Sequence, residues 1–162
     1  MVQDKLVLKE GEWFERYCEK LFMSCGFKTK RDPHAYVEVK GVTHKFDVIA
    51  TLNGKTVFVE CKDIQDSPKQ AIDAFVGKLK DVDGCFDSAV FMIAQTFNGD
   101  DYAEYRDYAH RHGVLFFNAD ELEELWTKVL KFDSKEDLKK FAEKTFAPEK
   151  HKSFFKWLWK HI

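Results

Sequence analysis

The sequence predicts an α/β domain, a mixed β-sheet flanked by helices, and three observations carry that prediction. An apolar stripe of helical period opens the chain, a hairpin of two β-rich runs follows, and apolar strands then alternate with amphipathic helices. Phe14, Tyr17, Cys18, Leu21, Phe22 and Cys25 recur at i, i+3, i+4, i+7, i+8 and i+11. That spacing predicts a helix from about Lys9 to Cys25, stopped by Gly26. A short strand is expected near Tyr36 to Val39. In KFDVIATLNGKTVFVECKD two β-rich runs flank Asn53-Gly54. This pair suits a two-residue type I′ turn, because both central residues need positive φ.

Beyond the hairpin, Ser67 and Pro68 read as N-cap and first helical residue. The helix they open carries Ile72, Phe75, Val76 and Leu79 inward, with Gly77 permitting a close approach. Ala89 to Ala94 (AVFMIA) is apolar without interruption, the mark of a strand buried on both faces. A helix over Asp101 to Arg111 is closed by Gly113. The strand Val114 to Phe117 and a helix from about Ala119 to Val129 complete a domain over residues 1–132.

Residues 133–162 are expected to form a C-terminal helical extension. Ser134 opens a helix with Leu138, Phe141, Ala142 and Phe146 inward, and Pro148 ends it. The last stretch, HKSFFKWLWKHI, interleaves aromatics with lysines. Docking on the core or on a second subunit is its first reading, ahead of nucleic-acid contact, with a membrane surface last.

Composition narrows the class. Of 162 residues, 44% are hydrophobic and 33% charged, which fits a folded domain rather than a disordered chain. No apolar run reaches the roughly 18 residues that span a bilayer. The N-terminus lacks the basic-then-apolar layout of an export signal, so a cytoplasmic location is expected. Cys18, Cys25, Cys61 and Cys85 form no C-x-x-C pair, which favours free thiols over disulfides or zinc. The net charge of −2 excludes a chain coated in basic residues but leaves room for a local patch. One candidate contains Lys28, Lys30, Arg31, Lys40 and Lys45 against Asp32 and Glu38.

The turn at Asn53-Gly54 sets a register. Leu52 faces Lys55, and each step outward pairs Thr51 with Thr56, Ala50 with Val57, Ile49 with Phe58 and Val48 with Val59. Asp47 therefore falls opposite Glu60, with Cβ atoms about 4.5–5.5 Å apart on one face. Lys62, two residues on, shares that face. Two carboxylates at about 5 Å repel by about 3 kcal/mol at an effective dielectric near 20. A divalent cation would offset that strongly, and carboxylates are the oxygen ligands magnesium and manganese prefer. Asp47 and Glu60 would hold Mg²⁺ or Mn²⁺, with the Cys61 carbonyl as a further ligand. Lys62 would orient or deprotonate an attacking water, or stabilise charge on a phosphate. The plain alternative is a wet sheet face with Lys62 as a surface partner, although Ile49 and Phe58 lie on that same face.

These residues resemble a known family. FDVIA, then twelve residues between Asp47 and Glu60, then ECK, is similar to the PD-(D/E)xK nuclease core. GEWFER resembles the first helix of Mrr-type restriction endonucleases and of archaeal Holliday-junction resolvases. There a glutamate also serves the metal, and Glu15 matches that position. The distal run AVFMIAQTFNGDDYAEYRDYAHRHGVLFFNADELEEL looks more like the Mrr-type domain.

The resemblance, over roughly Gly11 to Leu125, implies a restriction-endonuclease-like fold and a Mg²⁺- or Mn²⁺-dependent DNA endonuclease, often a homodimer. Catalytic residues would be Glu15, Asp47, Glu60 and Lys62. The alternatives are a non-cleaving module that binds nucleic acid or a partner ATPase, and a nuclease directed at Holliday junctions or RNA. Phe46 stands where the family's first motif has proline, and Asp32-Pro33 has the order inverted and lies outside the hairpin. Gln70 matches a family glutamine near substrate but reads first as a helix-surface residue. His34 and His44 read as loop histidines, His110 and His112 as a helix C-terminus favouring a partly positive ring. Cys61 alternates to the opposite, buried face.

Overall fold

The structure is a computed structural model describing residues 11–63 and 67–149. Helix α1 (Glu12–Ser24) buries Phe14, Cys18, Leu21 and Phe22, the stripe its spacing predicts. Strands β1 (Lys28–Arg31), β2 (Tyr36–Val39), β3 (Val42–Lys45), β4 (Val48–Leu52) and β5 (Lys55–Lys62) follow. Then α2 (Pro68–Asp81), β6 (Ser88–Ile93), α3 (Gly99–Arg111), β7 (Leu115–Phe117), α4 (Ala119–Val129) and α5 (Lys135–Phe146) complete the described chain.

Five strands form one mixed sheet in the order β1-β4-β5-β6-β7. The β1–β4 and β4–β5 pairs are antiparallel, whereas β5–β6 and β6–β7 are parallel. Strands β2 and β3 make a separate two-stranded hairpin. The β4–β5 turn carries positive φ at both Asn53 (52°) and Gly54 (79°). Its register runs from Leu52↔Lys55 to Val48↔Val59, as the turn chemistry predicts.

Each face of the sheet has its own core. Val48, Ala50, Val57, Val59, Cys61, Val90 and Met92 point toward α1, α4 and α5. Ile49, Phe58, Ala89, Phe91 and Ile93 point toward α2, with Ala109 of α3 in the same cluster. Strand β6 is buried at every residue, which is why its sequence reads as an unbroken apolar run.

Several details depart from the sequence reading. Strand β1 has no signal in the sequence, because KTKR has no apolar alternation; it is an edge strand whose side chains alternate between exposed and half-buried. Strand β3 likewise has no apolar signal, since VTHK lies mostly exposed on a separate hairpin. Helix α3 begins at Gly99, two residues early, because the Asn98 side chain accepts from the Asp101 N–H at 2.9 Å. Gly77 is exposed with open space beside it, so it serves no close approach. Helix α5 inserts Phe146 beside Phe22 (4.6 Å between ring centres) and Phe117 (5.6 Å). Lys9 and the tail HKSFFKWLWKHI lie outside the described residues. Among the described residues, no helix is long and apolar enough to cross a membrane.

Candidate active site

The register places the acid pair. Asp47 stands one step before Val48, and Glu60 one step after its partner Val59. The amide N–H of Cys61 donates to Asp47 Oδ2 at 2.8 Å. The Asp47 carbonyl accepts from the Asp32 N–H at 3.0 Å, which ties the end of β1 to the same point. Asp47 is thus gripped through backbone and side chain by two different strands.

Glu60 is only 7% exposed, an unusual place for a carboxylate. Two lysines approach it from different elements. Lys62 Nζ lies 3.7 Å from Oε2, and Lys78 Nζ, from α2, lies 3.5 Å from Oε1. Lys62 and Glu60 share the face their alternation predicts, while Cys61 is buried on the other side among Val57, Val59 and Met92.

Burial drives the electrostatics. The Asp47 carboxyl is pushed up to about 8, chiefly by desolvation, then by the Glu60 charge. The Cys61 N–H pulls the other way, while Glu15 and hydrogen bonding with Glu60 raise it further. Glu15, on α1, is also raised, first by burial and then by Asp32. Arg31 opposes that shift, and Glu12 and Glu60 add to it. Glu15 therefore feels Glu60, and Asp47 feels Glu15, across the gap between α1 and the sheet. Among the described residues, no three His, Cys, Asp or Glu side chains close into a ready metal cage.

The donor set fits a hard divalent cation. Glu60 Oε1 is buried without a hydrogen bond inside the chain; its nearest partner is the Lys78 ammonium at ion-pair distance. An oxygen left this way costs free energy that a cation ligated by it would recover. The neighbouring carboxyl carries a raised proton affinity, because burial and the Glu60 charge both oppose its ionisation.

The surroundings tie α1 to this end of the sheet. Trp13 Nε1 donates to Asp63 Oδ2 at 3.0 Å, directly after Lys62. Arg31 reaches Glu12 (3.5 Å) and Glu19 (3.4 Å) on α1. Arg31 is therefore engaged within the protein, whereas Lys28, Lys30, Lys40 and Lys45 of the same basic stretch are exposed.

Other candidates fall away from the pair or change character. Gln70 is exposed on the first turn of α2, and His34 is exposed before β2. His44 lies in β3 opposite Val37. His110 and His112 do end α3, but burial, aided by Arg106, lowers the His110 pKa, against the partly positive ring expected there. His112 Nδ1 meets the Tyr108 carbonyl at 2.8 Å. The described cysteines are free thiols, with Cys25 pushed up to about 12 by burial.

Sequence reasoning missed Lys78 and discounted Asp32. Lys78 follows Ala71 and Phe75 at i+7 and i+3, so it sits on the buried stripe of its helix, a signal that was available. The inverted order of Asp32-Pro33 and its place outside the hairpin count against Asp32 in the sequence; its nearness to Asp47 arises from β1 pairing with β4.

The family model for the Mrr catalytic domain, described as restriction endonuclease, matches residues 9–126. No curated protein matches the chain. Among solved structures the chain is similar to the crystal structure of AF1548, described as a protein of unknown function. The TM-score is 0.54 at 17% identity, covering 91% of this chain and 97% of that one. At that identity the likeness speaks for the fold alone.

Proposed function

The chain belongs to the Mrr-type restriction endonuclease family, and from that premise we propose that it is a divalent-metal-dependent endonuclease hydrolysing DNA phosphodiester bonds at Asp47, Glu60 and Lys62. One observation carries the proposal: a buried carboxylate, Glu60, is in contact with a second one and flanked by a lysine 3.7 Å away. As plain structure this arrangement is costly, because burial and like charge both oppose ionisation.

Asp47 and Glu60 would hold Mg²⁺ or Mn²⁺, with the Cys61 carbonyl as a further oxygen. Such an ion supplies Lewis-acid charge at the phosphate and a more acidic water. The residues do the rest. The Cys61 N–H fixes the orientation of Asp47, so little reorganisation is needed when the site loads. Lys62, anchored on the strand that carries Glu60, holds the attacking water by its Nζ or takes up charge growing on the phosphate. Glu15, on α1, would support the ion as a further carboxylate. A second copy of the chain, as in many such domains, would bring a second site to the other strand.

The test is incubation with plasmid and branched DNA in Mg²⁺, Mn²⁺ or EDTA. Cleavage that needs the metal and is lost in Asp47→Ala and Lys62→Ala is expected. No metal-dependent cleavage, or cleavage surviving both substitutions, would overturn the proposal. Salt-sensitive DNA retention without cleavage, unchanged in Asp47→Ala, would instead identify a binding module on the same fold.

A further inference from the structure

We propose that Lys78 is a second phosphate-binding cation of this site, held ready against Glu60 until nucleic acid arrives; the inference rests on the nuclease reading. Lys78 comes from α2, a different element from the strand bearing Lys62. Its ammonium is restrained three ways. It lies 3.5 Å from Glu60 Oε1, donates to the Lys45 carbonyl at 2.8 Å and sits 4.9 Å over the Phe46 ring. A lysine side chain gives up considerable rotamer freedom to be held like this.

The side chain nevertheless remains 37% exposed, so its charged end can be reached from solvent. The carboxylate it touches is one that would hold the cation, so a phosphodiester at that cation comes within reach of Lys78 as well. Charge counting points the same way. With a divalent cation on Asp47 and Glu60, both ammoniums are left to an anion. A lysine offers a compact point charge with three donors, suited to a phosphate oxygen. The Lys45 carbonyl and Phe46 ring keep Nζ at the site after Glu60 releases it.

The test uses the full chain with Ca²⁺, to hold duplex DNA with cleavage suppressed, and anisotropy over a salt series. Lys78→Met and Lys78→Gln are expected to weaken DNA binding about tenfold, as loss of one charge-assisted contact does. The slope of log K against log salt should shrink by about 0.9. Lys78→Arg, which keeps the charge, should restore the slope. Mn²⁺ titration calorimetry on the same variants should show binding at least as tight as wild type, because a competing cation is gone. If Lys78→Met folds poorly, Lys78→Gln against Lys78→Arg carries the comparison. Unchanged DNA affinity and slope would overturn the proposal. So would loss of Mn²⁺ binding in Lys78→Gln, since Lys78 would then merely brace Glu60. Absence of Mn²⁺ binding in the wild type would bring down the nuclease reading itself, and this inference with it.

Discussion

The backbone N–H of Cys61 donates to Oδ2 of Asp47 at 2.8 Å, so the strand that carries Glu60 also aims the aspartate. Asn at position 47 keeps the shape and retains an oxygen to accept that hydrogen bond, but cannot carry negative charge. On the nuclease reading, Asp47→Asn and Asp47→Ala should both lose Mn²⁺ binding by calorimetry. Asn should fold as well as wild type, whereas Ala leaves the Cys61 N–H unpaired at a cost of about 1–3 kcal/mol. Mn²⁺ binding retained by Asp47→Asn would show that the ion does not need this charge.

The same carboxyl makes stability depend on pH. Its folded pKa, about 8, lies above the ordinary value of 3.8. The folded chain therefore holds a proton that the unfolded chain releases between those values. Stability attributable to this group is present below pH 4 and falls as pH rises through about 8. Urea unfolding of the metal-free protein should show wild type losing stability from pH 5 to pH 9 more steeply than Asp47→Asn. Parallel pH profiles for the two would refute the assignment of this effect to Asp47.

Metal loading should release that proton. At pH 7, below the raised pKa, a cation entering the acid pair must displace it. The Mn²⁺ binding enthalpy should then vary with the ionisation enthalpy of the buffer at pH 7 and lose that dependence by pH 9. Apparent affinity should climb with pH and level off above about 8. An enthalpy indifferent to the buffer at pH 7 would mean that the pair is already ionised.

Much of this site was legible because one local signal set everything downstream. Positive φ at Asn53 and Gly54 fixes the turn, the turn fixes the register, and period-two alternation then puts Glu60 and Lys62 on one face and Cys61 on the other. What escaped depends on contacts distant in sequence. Strand β1 is specified by pairing with β4 rather than by its own charged residues, so neither the strand nor the nearness of Asp32 to Asp47 could be read locally. The helical spacing of Lys78 marks the inner face, but a lysine there reads in the sequence as a frayed stripe rather than as the partner of a buried carboxylate opposite. The matching of Glu15 came from resemblance. The structure adds that this glutamate shares an electrostatic field with Glu60 and Asp47, from across the α1–sheet gap.

Phe146 offers a test of how firmly α5 belongs to the sheet's core. Its ring is fully buried and contacts Phe22 of α1, Phe27 just after that helix and Phe117 of β7. Phe146→Ala should cost about 3–5 kcal/mol in urea unfolding, the range for a large aromatic removed from a packed core. Mn²⁺ affinity at low temperature should hold, since the acid pair lies on the opposite face. A loss below about 1 kcal/mol would show that α5 docks loosely and that the core closes without it.

Lys62→Met separates ion binding from chemistry. The lysine sits 3.7 Å from Glu60 Oε2 and is about one-third exposed, so its removal leaves the buried Glu60 beside Lys78 and takes away no oxygen ligand. Mn²⁺ binding should therefore persist, and tighten slightly as a nearby positive charge disappears. Cleavage should fall by about 10²–10⁴, the usual worth of a positioned proton donor or acceptor. The loss should appear in single-turnover kcat rather than in KM, because Lys62 is assigned to the water and the charge that grows during reaction. Should the variant instead lose Mn²⁺ while its remaining turnover at saturating metal matches wild type, Lys62 would be a brace for Glu60, and the proton would have to be handled elsewhere.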